Sequence, residues 1–130
     1  MKAKYVKTSY LLLLWLLGAS PVAAQNFTGR TVLGEQHARQ QVLATVQEAP
    51  AEAFAKPLLP TKEVAVAAAE PVLFNIFGKQ QIFRERPYEA YLINGYWYIS
   101  GTLPEGYKGG AFEIIMEANN GRIVHLTHYK

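Results

Sequence analysis

The sequence predicts an α+β domain, a kinked helix packed on a four-stranded antiparallel meander. Three features carry that prediction. Asn94-Gly95 separates two strand-forming runs, Asn119-Asn120-Gly121 separates two more, and a capped apolar segment covers Thr61–Phe77. Asn-Gly between alternating apolar residues is a strong hairpin signal, because both central residues of a type I′ turn need φ > 0.

Residues 1–24 are expected to stand outside the fold. Lys2, Lys4 and Lys7 precede the apolar run Leu11–Leu17, and Val22-Ala23-Ala24 offers small residues for cleavage before Gln25. The pattern is that of a secretory signal peptide, and its apolar run is too short to span a bilayer. No cysteine follows it, which closes the lipoprotein route. The mature chain is therefore expected in the periplasm or outside the cell, with no membrane association after cleavage. Three of the 13 lysines and arginines lie in the leader, so the remaining ten balance the 10 acidic residues. A basic-patch argument for nucleic acid or anionic lipid fails on that balance. With no cysteine in an exported chain, stability must come from the core alone.

Residues 25–60 read as an N-terminal segment and linker. Glu35–Glu48 places Val42, Leu43 and Val46 in roughly helical spacing, but the apolar stripe is thin. Ala49–Pro57 has the composition of an Ala/Pro linker. The domain proper is expected over residues 61–130. Thr61 can cap a helix that Gly78 ends in the left-handed conformation. Val64, Ala68, Pro71 and Val72, with Ala67 beside them, form the face expected on the sheet. Pro71 removes one helical hydrogen bond, which predicts a kink near Ala67.

The Asn94-Gly95 turn sets Leu92 against Trp97, Ala90 against Ile99 and Tyr88 across from Gly101. The other face then carries Ile93 with Tyr96, Tyr91 with Tyr98 and Glu89 with Ser100. At the second hairpin a two-residue loop would pair Met116 with His125. A three-residue loop ending in a left-handed Gly121 pairs Met116 with Val124, Ile114 with Leu126 and Phe112 with His128. Only the second puts apolar beside apolar, so it is the predicted register. Leu92, Trp97, Ile99, Leu103, Phe112, Ile114, Met116 and Leu126 become the inner core, each worth about 1.5–3 kcal/mol on burial. Glu113, Ile115, Glu117, Ile123, His125 and Thr127 fall on the outer face.

Much chemistry is excluded by composition. Residues 25–130 contain no aspartate, no cysteine and a single serine, Ser100, in mid-strand. A Ser-His-Asp triad and any thiolate chemistry are thereby ruled out, and no nucleophile elbow surrounds Ser100. Glu113, Glu117 and His125 could hold a divalent ion or work as an acid–base set, against the plainer reading of a solvated charged stripe. His125 and His128 cannot chelate together, since positions three apart on a strand face opposite ways. The glycine-rich Pro104–Gly110 loop joins strand to strand and not strand to helix, which argues against a phosphate cradle. It reads as a mobile hairpin loop or as a binding loop presenting Tyr107 and Lys108. Tyr91, Tyr96 and Tyr98 make the outer face rich in amphipathic aromatic area, suited to an interface unless residues 25–60 fold over it.

Gly78, Arg86–Leu92, Trp97–Pro104, Gly109–Ile114, Asn120–Ile123 and the terminal His128-Tyr129-Lys130 together resemble a bacterial family of immunity proteins. The most specific part is Trp97-x-x-x-Gly101, then Gly109-Gly110-x-Phe112, the glycine hairpin and the closing lysine. The resemblance covers about residues 61–130. It implies the nuclear transport factor 2-like (cystatin-like) α+β fold and neutralisation of a polymorphic-toxin-system toxin by direct protein binding. No enzymatic activity, cofactor or metal is implied, and the motif residues Trp97, Gly101, Gly109 and Gly110 read as core and turn positions. The expected contact residues for the cognate toxin are Tyr91, Tyr96, Tyr98, Tyr107, Lys108, Glu113 and His125. The alternative is a periplasmic peptide- or protein-binding inhibitory module. A dehydratase or isomerase on this fold would want a His/Asp pair that the chain cannot supply.

Overall fold

A computed structural model describes residues 26–47 and 56–130. Residues 1–24, expected as a leader, and residues 49–55 of the expected Ala/Pro linker lie outside the described residues. In chain order the elements are β1 (Arg30–Thr31), α1 (Gly34–Thr45), α2 (Lys62–Phe77), α3 (Lys79–Arg84), β2 (Glu89–Ile93), β3 (Tyr96–Ser100), β4 (Leu103–Pro104), β5 (Phe112–Glu117) and β6 (Ile123–His128). Strands β2-β3-β5-β6 form the antiparallel meander, and β1 pairs separately with β4. The expected α+β class and four-strand order are present.

The first hairpin has the predicted register throughout, from Ile93↔Tyr96 to Glu89↔Ser100. Asn94 and Gly95 both take positive φ, 51° and 82°. Trp97 lies in the inner core, 6% exposed, and its indole N–H donates to the Leu59 carbonyl at 2.8 Å. Leu92, its cross-strand partner, is 51% exposed, against expectation. Leu59 roofs Trp97, whereas Leu92 sits on the edge strand beyond that cover.

The second hairpin differs by one residue. Phe112↔His128 and Ile114↔Leu126 pair as predicted, but Met116 faces Ile123, with a bulge between Ile115 and Met116. The turn is longer than expected: Glu117 N–H donates to the Arg122 carbonyl at 2.8 Å and Gly121 N–H to the Glu117 carbonyl at 2.9 Å. A bulge at Val124 restores the register, because one extra residue must be absorbed before Ile114 can meet Leu126. It also turns Val124 to the outer face, where it packs beside Tyr96, Tyr98 and Ile115. The turn is pinned by the buried Glu117 carboxylate, which accepts from Arg122 Nε at 2.8 Å and Asn120 Nδ2 at 2.7 Å.

Helix α2 has the expected ends. The Thr61 hydroxyl accepts from Val64 N–H, and Gly78 follows the helix at φ 90°. Its buried stripe, however, is Ala65, Ala69 and Leu73, while Val64 and Pro71 face outward. The reason is steric and polar together. Ala65 and Ala69 let the helix approach the bulky Trp97 and Phe112, Leu73 anchors the next turn, and the carbonyl deprived of a donor by Pro71 is left on the wet side.

Inner and outer faces of the sheet are both covered. Leu59, α2 and Ile82 of α3 pack on Tyr88, Trp97, Ile99, Phe112, Ile114 and Met116. On the opposite face Ala38 and Val42 of α1 cover Ile93, Tyr96, Tyr98 and Ile115. The thin stripe read in Glu35–Glu48 is helical as far as Thr45, and that helix shares a core with the sheet. Close approach also explains two motif glycines. A Cβ at Gly101 would stand 2.8 Å from Glu85 Cβ, and one at Gly110 would come within 2.7 Å of the Tyr129 carbonyl oxygen.

Candidate functional site

Helix α1 has no side-chain cap of its own at Leu33. A carboxylate from the sheet takes that role. Glu89, 1% exposed on edge strand β2, accepts from Leu33 N–H at 2.9 Å and Gly34 N–H at 2.7 Å. Tyr91 donates its hydroxyl to the same carboxylate at 3.0 Å. Negative charge at a helix N-terminus satisfies its free N–H groups and complements its dipole. Burial, and then the bond to Glu89, lift the Tyr91 hydroxyl to about 12.

Held this way, α1 walls a cavity of about 400 Å³ against the Pro104–Gly110 loop and the outer end of the sheet. His37 and Gln41 enter from successive turns of α1, Leu103 and Tyr107 from the strand and loop after β3, Glu113 from β5 and Tyr129 from the C-terminus. Its volume lies in the range of small-ligand pockets, and its wall mixes apolar residues with Thr31, His37, Gln41, Ser100 and Glu113.

Glu113 is the charged residue of this cavity and is 1% exposed. Its Oε2 accepts from the Tyr98 hydroxyl at 2.9 Å, and His37 Nε2 stands 3.9 Å away. His125 Nε2 lies 3.3 Å from Oε1, yet neither atom has an aligned hydrogen-bond partner among the described residues. Burial, with Glu113 as the second cause, drives the Tyr98 hydroxyl far above its ordinary range. Tyr129 is raised in the same way, by burial first and Glu113 next. His37 also meets Tyr98 edge-on, ring centres 6.2 Å apart.

The seven residues expected to contact a partner are divided by the fold. Tyr98, Glu113 and His125 come together, but Tyr96, Tyr98 and Glu113 are buried under α1 and do not reach the surface. The charged outer stripe is therefore not solvated: Glu113 and Glu117 are both inside. Tyr91 is half-buried on Glu89, His125 is partly exposed, and Lys108 and Tyr107 are exposed, Tyr107 at 65%. His128 points to the inner face and meets Glu85 at 2.6 Å, so the two C-terminal histidines serve opposite sides as expected. No group of three or more histidine, cysteine or acidic residues among the described residues is arranged to hold a metal ion.

His37 and Gln41, which line the cavity, and Glu89, which caps the helix that walls it, are positions of the candidate site that the sequence did not reveal. The spacing of His37 and Gln41 beside Ala38 and Val42 was a usable signal, since all four lie on adjacent rows of one helix. Glu89 carried no local signal, as its partners are 55 and 56 residues away.

A protein family described as "NTF2 fold immunity protein" matches residues 64–130. "Uncharacterized protein YhhH" of Escherichia coli (strain K12) is 32% identical over 74 residues, covering 56% of this chain and 58% of that protein. No solved structure matches the chain. The family match begins within α2, so α1 and the cavity wall it supplies lie outside it.

Proposed function

Since this chain belongs to the NTF2 fold immunity protein family, we propose that it neutralises a toxin of a polymorphic toxin system by holding it in an inactive complex. The leader-like N-terminus supports an encounter in the periplasm or outside the cell. The observation that carries the reading is the Pro104–Gly110 loop, which presents Tyr107 at 65% exposure beside Lys108. Leu33, 50% exposed, and Tyr129, 49% exposed, stand with Tyr107 around the cavity mouth. Interface energy concentrates in a few aromatic anchors set in such apolar patches.

The contact surface proposed here is the loop and cavity rim, with Tyr91 and His125 at its margins. The test is co-expression with the product of an adjacent gene, followed by pull-down and a survival assay. Tyr107→Ala should weaken the complex by about 2–4 kcal/mol if Tyr107 is a central anchor, with the thermal midpoint nearly unchanged. Absence of both complex and protection would favour the second reading, a periplasmic peptide- or protein-binding module, which the cavity itself supports.

A further inference from the structure

We propose that the cavity beneath the Tyr107 loop is a cation-binding pocket. It would take a guanidinium or ammonium group, with the Glu113 carboxylate as counter-ion. Glu113 is almost fully buried; it accepts an aligned hydrogen bond from Tyr98, and the Tyr129 hydroxyl also acts on it. Its Oε1 has no aligned hydrogen bond among the described residues. A carboxylate withdrawn from water needs either a paired cation or several donors. Among the described residues the lining contains neither lysine nor arginine. Two histidine nitrogens stand beside the carboxylate, His37 Nε2 at 3.9 Å from Oε2 and His125 Nε2 at 3.3 Å from Oε1, neither in an aligned bond to it.

The rest of the lining suits the same ligand. Tyr107 and Tyr129 offer aromatic faces at the mouth, which attract cations through the ring quadrupole. Leu33, Leu103 and Ala111 offer apolar wall for an aliphatic stem, and Gln41 and Ser100 add polar contacts. A volume of about 400 Å³ accommodates an amino-acid side chain with its backbone. A free small cation and an arginine or lysine side chain of a partner protein present the same group.

The probes are N-acetylarginine methylamide and its neutral isostere N-acetylcitrulline methylamide, titrated into the full chain and followed by amide chemical shifts. The arginine probe should shift the amides of Tyr107, Ala111 and Glu113. It should bind at least about ten-fold more tightly than the citrulline probe, the discrimination a charge-assisted hydrogen bond provides. Glu113→Gln should erase that preference. Tyr107→Ala, at an exposed position, should weaken binding without affecting the fold, so the proposal stays testable if Glu113→Gln unfolds. Equal binding of both probes, no binding of the arginine probe, or a preference that survives Glu113→Gln would each overturn it. Where a toxin complex forms, its competition by the arginine probe identifies a partner side chain as the occupant, and a complex indifferent to a bound probe identifies a free cation. The toxin reading rests on the pull-down alone, so either idea can fail while the other stands.

Discussion

Glu85, Glu89, Glu113 and Glu117 are each no more than 1% exposed, and three of them are held by several hydrogen bonds. Glu85 accepts from Phe112 N–H at 2.8 Å, Gln81 Nε2 at 3.0 Å and His128 at 2.6 Å. Glu89 caps α1, and Glu117 staples the second hairpin. Buried carboxylates cost too much desolvation to persist without such partners; Glu113, with Tyr98, Tyr129 and His125 around it, is the one of the four that borders the cavity. Among apolar residues Trp97 has the corresponding weight. Its ring fills the space between α2 and the sheet, and its N–H ties the Leu59 segment to β3. Trp97→Ala should cost about 3–5 kcal/mol in urea unfolding, from lost packing and the cavity left behind. An unfolding midpoint equal to wild type would show that the inner and outer faces had been exchanged.

Helix α1 depends on the sheet more than on its own sequence. Only Ala38 and Val42 are buried along its 12 residues, a stripe too thin for a helix this short to persist alone. Its attachment rests on those two side chains and on the Glu89 cap. Glu89→Ala should therefore destabilise the fold by about 1.5–3 kcal/mol, the range for hydrogen bonds to a charged group. Hydrogen exchange is the more telling measurement: amides of residues 37–45 should lose protection while those of β3 and β5 keep most of theirs. Wild-type protection in α1 would show that Ala38 and Val42 suffice. The second hairpin illustrates the same dependence, because its four-residue turn and the Val124 bulge follow from the Glu117 contacts to Asn120 and Arg122.

The whole molecule is three layers deep, α1 over the sheet over α2 and α3, and this buries several tyrosine hydroxyls. Burial is the leading cause that raises Tyr88, Tyr91 and Tyr98, with Tyr91 reaching about 12. In the unfolded chain each would lose its proton near pH 10. The unfolded state then binds fewer protons than the native one, so stability is complete below about pH 10 and declines as pH rises toward the folded values. Urea midpoints should fall steadily above about pH 10, and tyrosinate absorbance should rise in step with unfolding. A midpoint unchanged between about pH 9 and 11 would mean that these hydroxyls ionise freely in the native state.

Local chemistry was legible in the sequence. Asn94-Gly95, the Thr61 cap, Gly78, and the alternation that puts Trp97, Ile99, Phe112 and Ile114 on one face are all present as read. Each is decided by backbone sterics or by neighbours a few residues apart. The family pattern was legible because its positions follow one another closely in the chain, although the contacts that require Gly101 and Gly110 come from Glu85 and Tyr129. Other features needed the folded chain. The face of α2 was chosen by which side chains fit over Trp97 and Phe112, and the register at Met116 by a carboxylate staple. The exposure of Leu92 followed from where the cover ends. Above all, a helix with almost no apolar stripe settled on the tyrosine face because Glu89, more than fifty residues away, caps it. That contact turned an expected binding surface into core and opened beside it the cavity holding Glu113. Long-range polar contacts of this kind leave no periodicity in a sequence, so only the tertiary structure could place the site.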